Sequence, residues 1–134
     1  MTGFVDGEGC FYVKLIPHSK IPRVSVNFSI YQNVRDLDLL YAIKTYLNCG
    51  IIEVVSSRPN AAKYAVYKFE DIINKIIPFF DKYNLQGIKR LDYNDFRKVA
   101  IILSQSKNNL DDKSFNSIKL IKEKMNKNRT MRIL

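Results

Sequence analysis

The chain has 134 residues, enough for one domain with a real core, and 46% of them are apolar, so it is expected to fold. Lys and Arg number 22 against 13 acids, a net charge of +9 that points to a polyanionic partner, of which nucleic acid is the commonest. No secretory signal and no apolar run near the ~20 residues of a membrane span can be read, and Cys10, Cys49 and the lone His18 lack metal-ligand spacing. A membrane protein, a secreted disulfide scaffold and a zinc module are thereby disfavoured, and free thiols in a reducing compartment are expected.

Residues 2–8 read as a short helix. A strand follows over about 9–17, with Phe11, Val13 and Leu15 on one face and Cys10, Tyr12, Lys14 and Ile16 on the other. Pro17 to Pro22, with His18 between, is a loop bracketed by prolines. The next strand, about 23–32, puts Val24, Val26, Phe28 and Ile30 on one face and Arg23, Ser25, Asn27, Ser29 and Tyr31 on the other. One apolar and one polar face is the pattern of a sheet covered by helices on one side only.

Asp36 to Leu47 has helical periodicity and stops at Asn48-Cys49-Gly50. A second hairpin is expected over about 51–56 and 62–68, with Tyr64 and Val66 inward and Lys63, Ala65 and Tyr67 outward. A helix over about 69–82 contains Pro78, which is expected to kink or shorten it. Further helices are expected over about 88–105 and 112–126, the second capped by Asp112. The tail 112–134 is strongly basic, which suits either a solvated helix face or phosphate contacts. The whole reads as a single α+β domain, residues 1–134, in the order αββαββα with helices added at the C-terminal end.

The opening stretch carries the chemistry. Gly3 and Gly7 lie four apart on one helical face, although glycine costs a helix about 1 kcal/mol relative to alanine. Small residues at that spacing let two helix backbones approach closely. Glu8 stands where the helix must end at Gly9, against the negative end of the dipole, a conflict that a bound cation resolves.

Residues Met1–Gly9 resemble the LAGLIDADG motif of homing endonucleases, with Gly3, Asp6 and Gly9 matching by identity, Phe4 and Val5 by type, Gly7 in the small-residue position and Glu8 in the second acidic position. The flank DGEGCFYV continues like the family's first strand, NFSIYQN (27–33) like its second, and RDLDLLYAIKTYLNCG (35–50) like the helix after it. PFFDKYNL and KRLDYNDF (78–85, 89–96) look like the turn between its later helices. The resemblance implies a four-stranded antiparallel saddle sheet with helices on one face.

It also implies a site-specific double-strand DNA endonuclease whose motif helices pair across a two-fold interface. Gly3, Phe4 and Gly7 would form that interface, and the paired Glu8 carboxylates would hold Mg²⁺ or another divalent cation such as Mn²⁺ or Ca²⁺. Asp6 becomes a packing or capping residue. Gln32 stands where the family orders active-site water. Lys89, or Gly87 two residues earlier, stands in the family's basic position in the loop before DYNDF.

The polar sheet face becomes the surface that reads DNA, since a β-ribbon fits the major groove. Its members are Tyr12, Lys14, Ile16, His18, Arg23, Ser25, Asn27, Ser29, Tyr31, Lys63 and Tyr67, with Glu53 beside them to accept from cytosine or to oppose phosphate charge. Only one motif is present, so a homodimer, or pairing with a second such domain, is expected. The alternative is an RNA-binding intron maturase or a nuclease-derived ribonucleoprotein subunit, since +9 suits RNA as well. Abundant Ile, Asn and Lys suit an AT-rich genome. The expected location is therefore organellar, the mitochondrion before the chloroplast, or the bacterial cytoplasm.

Overall fold

Alternation of burial along each strand is what builds the sheet. The structure is a computed structural model that describes residues 9–16, 23–55, 57, 60–106 and 110–125. The expected opening helix, with Gly3, Phe4, Asp6, Gly7 and Glu8, lies outside the described residues, as does His18. Strand β1 (Gly9–Ile16) buries Phe11 and Val13 while Lys14 and Ile16 are exposed. Strand β2 (Arg23–Asn33) buries Val26, Phe28 and Ile30. With β3 (Ile51–Val54) and β4 (Ala61–Val66) they form one four-stranded sheet in the order β1-β2-β4-β3.

The register of this sheet decides which side chains meet. Antiparallel β2 and β4 pair Phe28 with Val66, Ile30 with Tyr64, Tyr31 with Lys63 and Gln32 with Ala62. Antiparallel β3 and β4 pair Ile52 with Tyr64 and Glu53 with Lys63. Directly opposed residues share a face. One face therefore carries Phe28, Val66, Ile30, Tyr64 and Ile52, and the other carries Tyr31, Lys63 and Glu53.

Helix α1 (Leu37–Leu47) buries Leu40, Ile43 and Leu47. It starts later than its periodicity suggests. A 3₁₀ turn over Val34–Asp36 comes first, and the Asn33 side chain caps it by accepting from the Arg35 N–H at 3.0 Å. Asp36 makes no side-chain cap. The helix ends at Asn48 in the left-handed region, φ 56°. Lys75 Nζ donates to the Asn48 carbonyl, placing a cation at the negative end of α1.

Pro78 does not end its helix. Helix α2 runs through three stretches, Phe69–Asp71, a π-helical Ile72–Ile76 and Ile77–Lys82. Proline lacks an N–H and collides with the carbonyl four residues back in a regular helix. The wider turn in front of it, closed by the Ile77 N–H on the Ile72 carbonyl, absorbs that conflict. Helix α3 (Gly87–Ser106) buries Asp92, Tyr93, Phe96, Val99 and Ala100 as one stripe. Helix α4 (Asp112–Glu123) is capped by Asp111, one residue before the expected Asp112, because the Asp111 carboxylate is the one that accepts from the Ser114 N–H, at 2.7 Å.

The chain forms two compact units, with β2 contributing to both. The first holds the end of β2 with α1, β3, β4 and α2. Its core packs Phe28 edge-on against Phe80, ring centroids 5.5 Å apart, over the Ile30–Tyr64 row. The second holds most of β1, the start of β2, α3 and α4. There Phe11 sits 5.4 Å from Tyr93 and 5.1 Å from Phe96, which fixes α3 on the apolar side of β1. Each such ring pair adds about 0.5–1.5 kcal/mol beyond the area it buries.

Candidate nucleic-acid interface

The helices take the apolar face of each unit, so the polar face is what remains for a partner. In the second unit Lys14, Ile16 and Arg23 are exposed, and Tyr12 and Ser25 are half-buried. Strand alternation alone puts Tyr12, Lys14 and Ile16 opposite to Phe11 and Val13. These two cations, Lys14 and Arg23, reach solvent on exposed strand positions, the setting in which a cation meets phosphate.

In the first unit the centre of the polar face is a four-residue cluster. Lys63 on β4 lies between Tyr31 on β2 and Glu53 on β3 in a single cross-strand row. Its Nζ is 5.9 Å from the Tyr31 ring centroid and 5.8 Å from that of Tyr67. The Tyr67 hydroxyl donates to Glu53 Oε1 at 2.9 Å. A hydrogen bond with Tyr67 holds the Lys63 ammonium above its ordinary range, so it stays charged. Alternation places all four on the outer face, but only the register makes them neighbours.

Other predicted residues fall elsewhere. Asn27 is half-buried on the same strand as Tyr31. Ser29 is only 1% exposed, in a row with the fully buried Ala65, so it offers a partner almost no surface. Gln32 shares the Ile30 side of β2, opposite Ala62, at the end of the strand. It thus stands on the opposite face from Tyr31. Lys89 does not lie in a loop. It sits in the first turn of α3, inside the helix that periodicity predicts over about 88–105 and not in the loop that the resemblance implies. The link between α2 and α3 is instead residues 83–86. Among the described residues no three His, Cys, Asp or Glu side chains gather as a metal site. None of the described helices is long and apolar enough to cross a membrane.

A basic, polar sheet face backed by helices defines an α+β domain of the kind that lays a sheet against nucleic acid. The particular family follows from comparison: the chain belongs to the LAGLIDADG endonuclease family, whose pattern matches residues 1–100. Probable intron-encoded endonuclease 2 of Neurospora crassa is 36% identical over 118 residues, 88% of this chain and 25% of that protein. The homing endonuclease I-ApeII of Aeropyrum pernix is 27% identical over 110 residues, 80% of this chain and 64% of that protein.

Among solved structures, the meganuclease I-SmaMI bound to uncleaveable DNA superposes with a TM-score of 0.88 at 40% identity, over 96% of this chain and 44% of that one. The LAGLIDADG homing endonuclease I-GzeII in complex with its DNA target gives 0.88 at 37% identity, over 96% and 43%. These matches establish the expected four-stranded antiparallel α+β fold. The chain spans about a quarter of the Neurospora relative and less than half of each meganuclease chain.

Proposed function

We propose that this chain is a LAGLIDADG domain of a site-specific, double-strand DNA endonuclease of the homing type. The observation that carries the reading is the family match across residues 1–100, which contains Glu8, on a chain whose sheet turns a cationic polar face outward. I-SmaMI has been solved on DNA both uncleaved and cleaved, which supports duplex DNA as the ligand. No feature of the described residues favours the RNA alternative.

The domain needs a partner, either a second copy or a second LAGLIDADG domain, joined through Gly3, Phe4 and Gly7. One domain supplies one Glu8, half of a paired-acid site. A carboxylate is a hard oxygen donor and suits Mg²⁺, Mn²⁺ or Ca²⁺. I-SmaMI was solved on an uncleaved target in the presence of calcium ions, which supports a divalent cation. Such a cation would activate water and stabilise the leaving oxygen of the phosphodiester. Gln32 would hold that water from the end of β2, and Lys89 would add positive charge from the first turn of α3. Lys14 and Arg23 would contact phosphates, while Tyr12, Ile16, Ser25, Asn27 and Tyr31 would face base edges or thymine methyls. His18, which follows β1 in the sequence, would extend this surface. The intron-encoded fungal relatives support an organellar setting, the mitochondrion first.

The test is cleavage of a randomised duplex library in Mg²⁺ by the chain, alone and as a tandem of two copies. Captured ends with a shared sequence, lost in Glu8→Gln with binding retained, are expected. A Glu8→Gln chain that cuts as well as its parent would remove Glu8 from the site. Binding with no ends from either form, in Mg²⁺ or Mn²⁺, would remove the nuclease reading.

A further inference from the structure

A carboxylate at the centre of a surface built to meet DNA needs a reason. Glu53 opposes Lys63 directly across the β3–β4 pair. Side chains so placed stand about 4.5–5.5 Å apart at Cβ. Seen by a phosphate, Glu53 and Lys63 together are close to neutral, and the lysine loses most of its pull on the backbone. Its N–H donors remain, and a neutral acceptor on a base edge does not feel the carboxylate as a phosphate does. The guanine O6 and N7 acceptors in the major groove are the usual partners of a lysine.

A lysine on a flexible stem reads a base poorly unless something holds it. Tyr31 and Tyr67 lie on either side, with ring centroids 5.9 Å and 5.8 Å from Nζ. The Tyr67 hydroxyl gives its proton to Glu53 at 2.9 Å, so its oxygen lone pairs are left to accept from the lysine. An ammonium has three donors, and one turned to the Tyr67 oxygen would leave two for a base edge.

We infer that Tyr67 and Glu53 are positioning residues that aim Lys63 at a guanine in the target, and that Lys63 is a base reader here and not a phosphate anchor. The inference rests on the DNA-binding reading above. It predicts effects of opposite sign that a merely structural role would not produce. Removing Glu53 exposes the lysine charge, so affinity for any duplex rises while discrimination at one base pair falls. Removing the Tyr67 hydroxyl lowers discrimination without adding charge.

The experiment selects bound duplexes from a randomised library with the parent chain and with Glu53→Ala, Tyr67→Phe and Lys63→Ala, and titrates each against one fixed mixed-sequence duplex. Both rings and the acid lie at least partly exposed, so these variants should fold like the parent, which circular dichroism checks. The expected result is a guanine preference at one position in the parent pool that drops on the order of tenfold in all three variants. Glu53→Ala alone should bind the mixed duplex a few-fold more tightly, and Glu53→Gln, which keeps an acceptor for Tyr67, should retain much of the preference. An unchanged preference in Tyr67→Phe and Glu53→Ala overturns the inference while leaving the nuclease reading intact. A parent chain that binds no duplex overturns both.

Discussion

The Tyr64 hydroxyl donates to the Cys49 carbonyl at 2.7 Å, which ties the buried middle of β4 to the turn that follows α1. Cys49 Sγ lies 3.6 Å from the same hydroxyl. The next residue, Gly50, has φ +91°, and a Cβ there would fall 2.5 Å from Tyr64 Cε1 and 2.8 Å from its hydroxyl oxygen. Tyr64 is fully buried and cannot swing away. The glycine is therefore needed twice, for its backbone angle and for the ring beside it.

Two variants at this point should differ in size. Tyr64→Phe leaves the Cys49 carbonyl without its donor and should cost about 1–3 kcal/mol in urea unfolding. Gly50→Ala forces both a strained φ and a collision with a packed ring, so it should cost more than Tyr64→Phe. Equal stability of the Gly50→Ala chain and its parent would contradict the geometry.

Burial pushes the Tyr64 phenol and the Cys49 thiol above their ordinary values of 10.0 and 9.0; the hydrogen bond between them adds to the rise at Tyr64 and offsets part of it at Cys49. In each case the folded state holds its proton more tightly than the unfolded chain. The sign follows: stability is complete below about pH 9 and falls as pH rises from there, because the unfolded chain releases protons first. Urea midpoints measured from pH 7 to about pH 11 should decline. Tyr64→Phe should decline less steeply, having lost the tyrosine contribution.

Asp111 shows the opposite linkage. Its carboxylate accepts from the Ser114 N–H, and that bond holds its pKa below the ordinary 3.8. The cap is present above the ordinary value and is lost as pH falls through the folded one. Asp111→Asn should keep the cap in acid, since the amide oxygen accepts at any pH, whereas Asp111→Ala should lower helix content at neutral pH. Circular dichroism at 222 nm against pH reads both.

Phe96 is fully buried on α3, 5.1 Å from Phe11. Phe96→Ala should cost about 3–5 kcal/mol through the cavity it leaves. Because Phe96 touches the apolar side of β1, the loss should also loosen the strand that carries Lys14. Amide exchange on β1 should quicken in this variant more than on β4.

Lys14 and Arg23 should behave unlike Lys63. Both are exposed, and among the described residues neither forms an ion pair. Lys14→Ala and Arg23→Ala should each weaken binding to all duplexes alike and reduce the salt slope by about 1. A change in base preference with no change in slope would make either of them a base reader instead.

Strand alternation made the outer set legible in advance. Lys14, Tyr31, Lys63 and Tyr67 each flank a buried neighbour, as period-two patterning requires, and the exposed Arg23 precedes the half-buried Val24. The helices were legible in place and, for α1 and α3, to within a residue at each end, but their capping residues were not. Asn33 and Asp111 took the caps because capping depends on which side chain turns back to an N–H, a matter of one backbone angle. For Lys89 the helical periodicity over 88–105 agrees with the structure, and the loop implied by the resemblance does not.

The sequence by itself determined the family and the polar and apolar faces, because each of these is written in local residue types at short spacing. Which strands pair, and in what register, is set by contacts between residues far apart in the chain. Tyr31, Lys63, Glu53 and Tyr67 become one cluster only when β4 is inserted between β2 and β3. A one-residue slip of the β2–β4 pairing would turn Lys63 toward the core face and Tyr64 away from it, and the cost of burying the charge and exposing the ring opposes it.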